Sequence, residues 1–373
     1  MKEKIILFTR VPKEGTTKTR LYNFVQPKQA VEIQIKLLKK NYGLLASLNK
    51  ELFVFHDGNE RDNEFMNSII PADKFFYQRG ENLGDKMYNA IKDVIEDGDK
   101  VILLGSDIAN LSQNIIDMAF KNLNTVDIVI NPSEDGGYFL IGMKKSIKEV
   151  FDLPSYGDNM VLENLITVIK NKNLSYYIGE VGLDIDTRED LLQAETGYRD
   201  IELLGAGEYN INFTFSDNNV KKVLRINVKS QMDLENQIEY EYETLQLLKN
   251  SSVTPKPYDL VTNTTLLPYK YLTMEFLNGR ALDYRADMDI AAYLLSKVHN
   301  TKFGENNLIR ASNPFALIYE ECENMSDKYL SWDKADKKVS EYIRKFLSKC
   351  KELIPNEYEI ASPCIINTEL NSG

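Results

Sequence analysis

Asp107 closes the run Lys100-Val-Ile-Leu-Leu-Gly-Ser-Asp107, and Glu134 and Asp135 close a second one, Val126-Asp-Ile-Val-Ile-Asn-Pro-Ser-Glu-Asp-Gly-Gly-Tyr138. Acids beside flexible glycines suit one task in particular, holding a divalent cation together with the phosphates it carries. Further along, Asp184 and Asp186 alternate with Ile185. In an extended segment such a pair points to one face. Asp186 then reads either as a second ligand to a metal or sugar or as part of a local helix start, where Thr187 and Asp190 have capping-box spacing. Positive charge comes earlier. The stretch Arg10-Val-Pro-Lys-Glu-Gly-Thr-Thr-Lys-Thr-Arg20 carries Arg10, Lys13, Lys18 and Arg20, shaped by Pro12 and Gly15. Placed before a helix, it can cradle a nucleotide's phosphates; the alternative is a solvated charged loop. Its glycine spacing is not that of a P-loop. Gln78 and Arg79 read either as contacts to a base or sugar or as a structural loop.

The elements that must position these groups are legible from hydrophobic runs. Residues 4–9, 51–56, 100–105 and 126–131 are dominated by aliphatic, β-branched or aromatic residues, as buried strands are. Residues 74–77, 138–143 and 175–179 read as further strands, and helices are expected over 27–48, 59–69, about 82–96, 144–150 and 155–172. Asn82 or Asp85 should cap the third of these. The alternation specifies an α/β fold, a doubly wound and mostly parallel sheet, with ligands outside the carboxyl ends of its strands. Asp107, Glu134 and Asp135 should therefore gather at one mouth. His56, without an obvious partner, reads as structural. Beyond the boundary at 194–200 the pattern becomes α+β: a hairpin through 203–226, a helix over about 232–249, an antiparallel pair through 272–279, and helices from 286 to about 353. Two domains follow, 1–195 and 201–373.

At 373 residues, two domains are the natural expectation, and 43 % apolar residues suffice for two cores. A net charge of -11 argues against a nucleic-acid or anionic-membrane binder. The cysteines, Cys322, Cys350 and Cys364, are scattered and odd in number. They offer no metal-ligand spacing and fit a reducing, cytoplasmic setting. No apolar run approaches the ~20 residues of a membrane span.

The motifs of the first domain, Phe8-Thr-Arg-Val-Pro-Lys-Glu-Gly-Thr-Thr-Lys-Thr-Arg-Leu21, Asn82-Leu-Gly-Asp-Lys-Met87, Leu104-Gly-Ser-Asp107, Glu134-Asp-Gly-Gly-Tyr-Phe-Leu-Ile-Gly142 and Asp184-Ile-Asp-Thr-Arg-Glu-Asp-Leu191, occur in an order that resembles a bacterial glycosyltransferase family. That family has the nucleotide-diphospho-sugar transferase (GT-A) fold, and its relatives include phospholactate guanylyltransferases and molybdenum-cofactor nucleotidyltransferases. The resemblance covers roughly residues 1–195. It implies that Arg10, Lys13, Lys18, Arg20, Gln78, Gly84, Gly136 and Gly137 surround a nucleotide. It also implies that Asp107, with Asp184 or Asp186, coordinates Mg²⁺ or Mn²⁺, and that Glu134 or Asp135 contacts a sugar or acts as a base. Where the family continues Asp-x-Pro, this chain has Asp107-Ile-Ala109 and loses a rigid proline.

The second domain resembles the kinase-like aminoglycoside/choline phosphotransferases in Leu204-Gly-Ala-Gly-Glu-Tyr-Asn210, Val223-Leu-Arg-Ile226, Pro255-Lys-Pro257, Met274-Glu-Phe-Leu-Asn-Gly279 and Leu294-Leu-Ser-Lys-Val-His299. The resemblance implies that Gly205 and Gly207 bend a hairpin over ATP phosphates and that Arg225 is the basic residue paired with a helix acid. Where the family carries a catalytic His-Gly-Asp, this chain has Asn367-Thr-Glu369 and then ends at Gly373. Glu369 is left as the proton acceptor without the metal ligands that should follow. We expect this domain to be incomplete and the chemistry to lie in the first. The leading expectation is a metal-dependent glycosyltransferase acting on a small-molecule acceptor. The alternatives are a nucleotidyltransferase that activates a molecule phosphorylated by a fused kinase, and a non-catalytic nucleotide-binding protein.

Overall fold

The structure, a computed structural model, describes residues 2–230, 234–280, 282–283, 285–302, 304, 306, 308 and 313–355. The packing divides the chain into two units: residues 1–228 with 261–271, and residues 229–260 with 272–373.

The first unit opens with β1 (Glu3–Thr9), followed by α1 (Pro27–Ala46), β2 (Glu51–His56), α2 (Asn63–Ile69), β3 (Phe75–Tyr77), α3 (Leu83–Val94), β4 (Lys100–Gly105) and α4 (Gln113–Asn122). It continues through β5 (Ile128–Pro132), β6 (Tyr138–Met143), α5 (Val161–Asn171), β7 (Tyr176–Ile178) and α6 (Arg188–Thr196). The strands form one sheet in the order β3-β2-β1-β4-β6-β5-β7. Every neighbouring pair is parallel except those made by β6, which runs antiparallel to both β4 and β5.

Alternation along the strands builds a core on each face. Ile5, Leu7, Ile102, Leu104 and Val129 pack with α1, α2 and α4, while Ile6, Val101, Leu103, Ile128 and Ile130 pack with α3 and α5. Helices on both sides make the sheet doubly wound, as the aliphatic runs predict. Asn82 caps α3 through the Asp85 amide, and Thr187 and Asp190 form the expected capping box on α6. Two helix expectations need correction. The 144–150 segment contains only a 3-10 turn, Lys148–Val150. The helix expected from 155 starts at Val161, because Gly157 takes φ +102°, outside the helical region.

Three antiparallel strands complete this unit, β8 (Arg199–Ala206), β9 (Asn210–Asp217) and β10 (Val220–Asn227). Phe213, Phe215, Leu224 and Ile226 share one core with Leu21, Ile33, Leu37, Leu183, Ile185, Leu191 and Leu192. The loop 261–271 joins it through Leu266, Leu267 and Tyr271. That loop is fastened by Glu195, whose carboxylate accepts the backbone N–H groups of Thr265, Leu266 and Leu267 at 2.6–3.1 Å. The expected boundary at 195–201 thus runs through a shared core.

In the second unit lie α7 (Gln237–Leu248), β11 (Pro257–Val261), β12 (Tyr271–Glu275), α8 (Met288–His299), α9 (Pro314–Leu330) and α10 (Lys337–Glu352), except that Val261, the last residue of β11, and Tyr271, the first of β12, belong to the first unit. β11 and β12 are neighbours, linked by the Glu275 amide to the Lys256 carbonyl at 2.9 Å. Among the described residues, the expected helical stretch from 286 holds α8, α9 and α10.

Candidate active site

The carboxyl ends of β1, β4 and β5 converge on one mouth, and Asp107 stands there just past β4. Both of its oxygens are held. Oδ1 accepts from the Gln34 amide Nε2 at 2.6 Å and the Ser106 hydroxyl at 2.9 Å, while Oδ2 takes the Lys18 ammonium at 3.2 Å. Lys18 reaches in from a left-handed backbone position (φ 47°), and its side chain is only 3 % exposed. Its Nζ also donates to the Ile185 carbonyl at 2.5 Å. Burial opposes ionisation of Asp107, but the Lys18 charge and the bonds from Gln34, Ser106 and Lys18 outweigh it and hold the carboxyl below its ordinary range.

The supports of Asp107 are themselves anchored. Ser106 Oγ lies 2.8 Å from Thr9 Oγ1, and Asn41 donates to the Ser106 and Ile108 carbonyls at 2.8 and 2.9 Å. Gln34 and Asn41 are almost completely buried on α1. Sequence reasoning missed both. The available signal was a polar residue at heptad spacing within the stripe that holds Ile33, Leu37, Leu38 and Leu45.

Asp184 approaches from the other side, paired through an isolated antiparallel bridge to Ile108. Its Oδ1 is buried and has no hydrogen-bond partner among the described residues. Burial pushes the Asp184 carboxyl up to about 7; the Asp107 charge adds to the rise, Lys18 opposes it, and Asp186 and Asp135 contribute further. Asp135 is tied down locally, its Oδ1 accepting from the Ser133 hydroxyl at 2.5 Å and the Gly137 amide at 2.9 Å. Glu134 beside it is exposed.

Several expected nucleotide contacts have protein partners. Lys13 pairs with Asp62 at 2.7 Å and Arg20 with Asp186 at 3.1 Å, both at the surface end of their side chains. Arg10 is exposed. Gln78 donates its amide N–H to the carbonyls of Thr9 at 2.8 Å and Phe55 at 3.4 Å, lacing strand ends together, and Arg79 pairs with Asp93. Gly84 and Gly136 are required by packing: a Cβ would overlap the Phe151 carbonyl at the first and the Asn159 carbonyl at the second, where φ is +87°. Gly137 leaves room for Asp135 and Ser133. His56 bonds Asn63 Oδ1 and the Gly58 amide, as a structural residue would. In the β8–β9 region, Gly207 donates to the Asn210 carbonyl, Gly205 has open space above its Cα, and Arg225 bonds Asn212 at 3.2 Å. Glu369 lies outside the described residues.

Asp107, Asp184 and Asp186, the expected metal ligands, differ in their partners. Among the described residues no three Asp, Glu, His or Cys side chains are grouped to hold a metal ion by themselves. Lys18 occupies one side of Asp107, and Arg20 engages Asp186. What remains is a pair of hard oxygen donors, Asp107 Oδ2 and the unpartnered Asp184 Oδ1. This set fits a cation that keeps water and takes its other ligands from phosphate.

Two family models match parts of the chain. Residues 43–158 match the family described as "Uncharacterized protein conserved in bacteria (DUF2064)", and residues 200–356 match the phosphotransferase enzyme family. The chain is 27 % identical over 192 residues to a 2-phospho-L-lactate guanylyltransferase of Methanocaldococcus vulcanius, covering 50 % of this chain and 82 % of the relative. The counterpart from Methanocaldococcus jannaschii is 26 % identical over 185 residues, covering 48 % and 76 %. A solved structure from Desulfovibrio desulfuricans G20, provisionally named a nucleotide-diphospho-sugar transferase, superposes with a TM-score of 0.50 at 29 % identity, over 54 % of this chain and 89 % of that one. Both resemblances read from the motifs are borne out. The chain joins a nucleotidyltransferase-like region to a phosphotransferase-like one. No described helix is long and apolar enough to cross a membrane.

Proposed function

We propose that the site at Asp107 transfers a nucleotidyl group from a nucleoside triphosphate to a small phosphorylated acceptor. The observation that carries this reading is the clamp on Asp107: a carboxylate kept ionised at the mouth of the sheet, with a buried ammonium on one oxygen and an unpartnered acid beside it. An acceptor phosphate oxygen attacks the α-phosphorus, the bond to the bridging oxygen breaks, and pyrophosphate leaves. Lys18, fixed before the substrate arrives, offers a cation to the charge on the phosphates at no cost in reorganisation. Lys13 and Arg20, at the rim, can exchange their carboxylate partners for phosphate. Asp107 and Asp184 would hold Mg²⁺ or Mn²⁺, which when bound neutralises the phosphates and the leaving group.

An ionised phosphate needs no general base. This suits a site in which Asp135 Oδ1 already accepts two hydrogen bonds. The guanylyltransferase relatives support the same reading, with GTP as the first donor to test. Glycosyl transfer is the second reading, favoured by the name of the Desulfovibrio neighbour, and it would use exposed Glu134 as base on a hydroxyl acceptor. Pyrophosphate release supports nucleotidyl transfer; release of nucleoside diphosphate from a nucleotide sugar supports the second reading. With either donor, Asp107→Asn should lower kcat/KM about a thousandfold or more while circular dichroism stays unchanged. Full turnover in that variant would refute the assignment. For the second region we propose ATP binding at the Gly205–Gly207 turn beside Arg225, supported by its family match and tested by an ATP-dependent rise in Tm.

A further inference from the structure

Asp107 has four lone-pair directions, two on each oxygen, and the protein has spent them unequally. Both donors on Oδ1, the Gln34 amide at 2.6 Å and the Ser106 hydroxyl at 2.9 Å, come from nearly completely buried side chains. The orientation of the Gln34 amide is fixed by its neighbour, since a carboxylate only accepts and the NH₂ end must face it. The same Nε2 also lies 3.1 Å from Ser106 Oγ, so the donors brace one another. Oδ2, by contrast, takes only Lys18, at 3.2 Å. One lone pair of Asp107 is left, and it is on Oδ2.

We propose that Gln34, assisted by Ser106, is a specificity-determining residue that closes Asp107 Oδ1 and makes the carboxylate a one-oxygen ligand. The inference rests on the reading of Asp107 as a cation ligand and adds a restriction on which cation it takes. A large cation with six to eight ligands gains from gripping a carboxylate with both oxygens; a small octahedral one takes a single oxygen and keeps its waters. Blocking Oδ1 therefore disfavours Ca²⁺ relative to Mg²⁺ and Mn²⁺ before any substrate is bound. Asp184 adds oxygen of its own but cannot restore the second Asp107 oxygen. Gln34 touches no reacting atom in this scheme; it is a positioning residue acting through Asp107.

Mn²⁺ alone is titrated into the full-length protein, the free ion followed by its electron paramagnetic resonance signal, and bound Mn²⁺ is then displaced by Mg²⁺ or Ca²⁺. The variants are Gln34→Met, similar in length and without a donor, and Ser106→Ala, which removes the second donor with less disturbance of the core. We expect Mg²⁺ to displace Mn²⁺ from the unmodified protein more effectively than Ca²⁺ does, and each variant to shift the Ca²⁺-to-Mg²⁺ affinity ratio toward Ca²⁺ by about tenfold, the size of effect that a carboxylate's outer partners have on metal affinity. Loss of packing alone would weaken both ions together and leave the ratio unchanged. An unchanged ratio in both variants overturns the role of Gln34 while leaving the cation site intact. If Asp107→Asn binds Mn²⁺ as well as the unmodified protein does, the reading of Asp107 fails first, and the role of Gln34 with it.

Discussion

In the seven-stranded sheet, β4 and β5 are sealed on both faces, whereas α8 of the second unit buries none of its described residues and presents Ile290 and Tyr293 more than half exposed. A similar contrast separates functional groups within the first unit. Asp107 is gripped by three side chains and backed by a second layer of Thr9 and Asn41. The turn expected to receive ATP has only open space over Gly205. A dense interior lets polar side chains act as fixed supports, because each buried donor must find its acceptor and thereby determines where that acceptor sits.

The comparison can be broken most forcefully by cutting the chain. A fragment of residues 1–198 loses Phe213, Phe215, Leu224 and Ile226 and exposes the face of Ile33, Leu37, Ile185 and Leu191 that they cover. At roughly 1.5–3 kcal/mol per buried side chain, the loss rivals the ~5–15 kcal/mol stability of a whole domain. The 1–198 fragment should aggregate or fail to melt cooperatively, while the full chain melts normally. A stable, cooperative 1–198 fragment would show that the two regions are independent after all.

A smaller effect separates the glycines. Gly136→Ala meets the Asn159 carbonyl in a left-handed position and should cost about 1–3 kcal/mol, whereas Gly205→Ala enters open space and should stay within about 0.5 kcal/mol. Urea denaturation measures both, and equal losses would contradict the contrast in packing. Comparable in size, Glu195→Ala should cost roughly 2 kcal/mol, since three backbone donors lose a charged acceptor. Hydrogen exchange should accelerate at Thr265, Leu266 and Leu267 before it does in β4.

The least of these effects is pH-dependent. Asp184 titrates near 7 in the folded chain against about 4 when unfolded. Between these values the folded state binds the extra proton, so this group's contribution is present below about pH 4 and is lost as pH rises to about 7. Without divalent ions, Asp184→Asn should therefore be more stable than the parent at pH 8 by about 1–2 kcal/mol, with the gap closing toward pH 4. A constant gap across that range would show that Asp184 ionises normally.

Strands came through clearly in the sequence because burial leaves short, mostly apolar runs; Glu51–His56 and Tyr138–Met143 match the expected bounds. The antiparallel course of β6 was not legible, since a buried strand has the same composition in either direction. Asp107 was legible as an acid ending such a run. Its dependence on Gln34 was not, because a glutamine on a helix ordinarily faces water and only its place in the apolar stripe of α1 marks it. Sequence spacing brings acids together but does not show that Lys18 and Arg20 fold in among them. Sugar transfer, first among the sequence expectations, now stands second to nucleotidyl transfer on the strength of the guanylyltransferase relatives.

Lys18 carries one further consequence. By sitting on Asp107, it gives that acid a counter-ion that belongs to the fold, so the charge at the mouth is partly balanced by the protein itself. A chelator should then strip a bound cation and leave a folded, reloadable protein, unlike domains in which metal binding and folding are one event. Refilling would be a matter of supply, renewed with each nucleotide that arrives carrying its own ion.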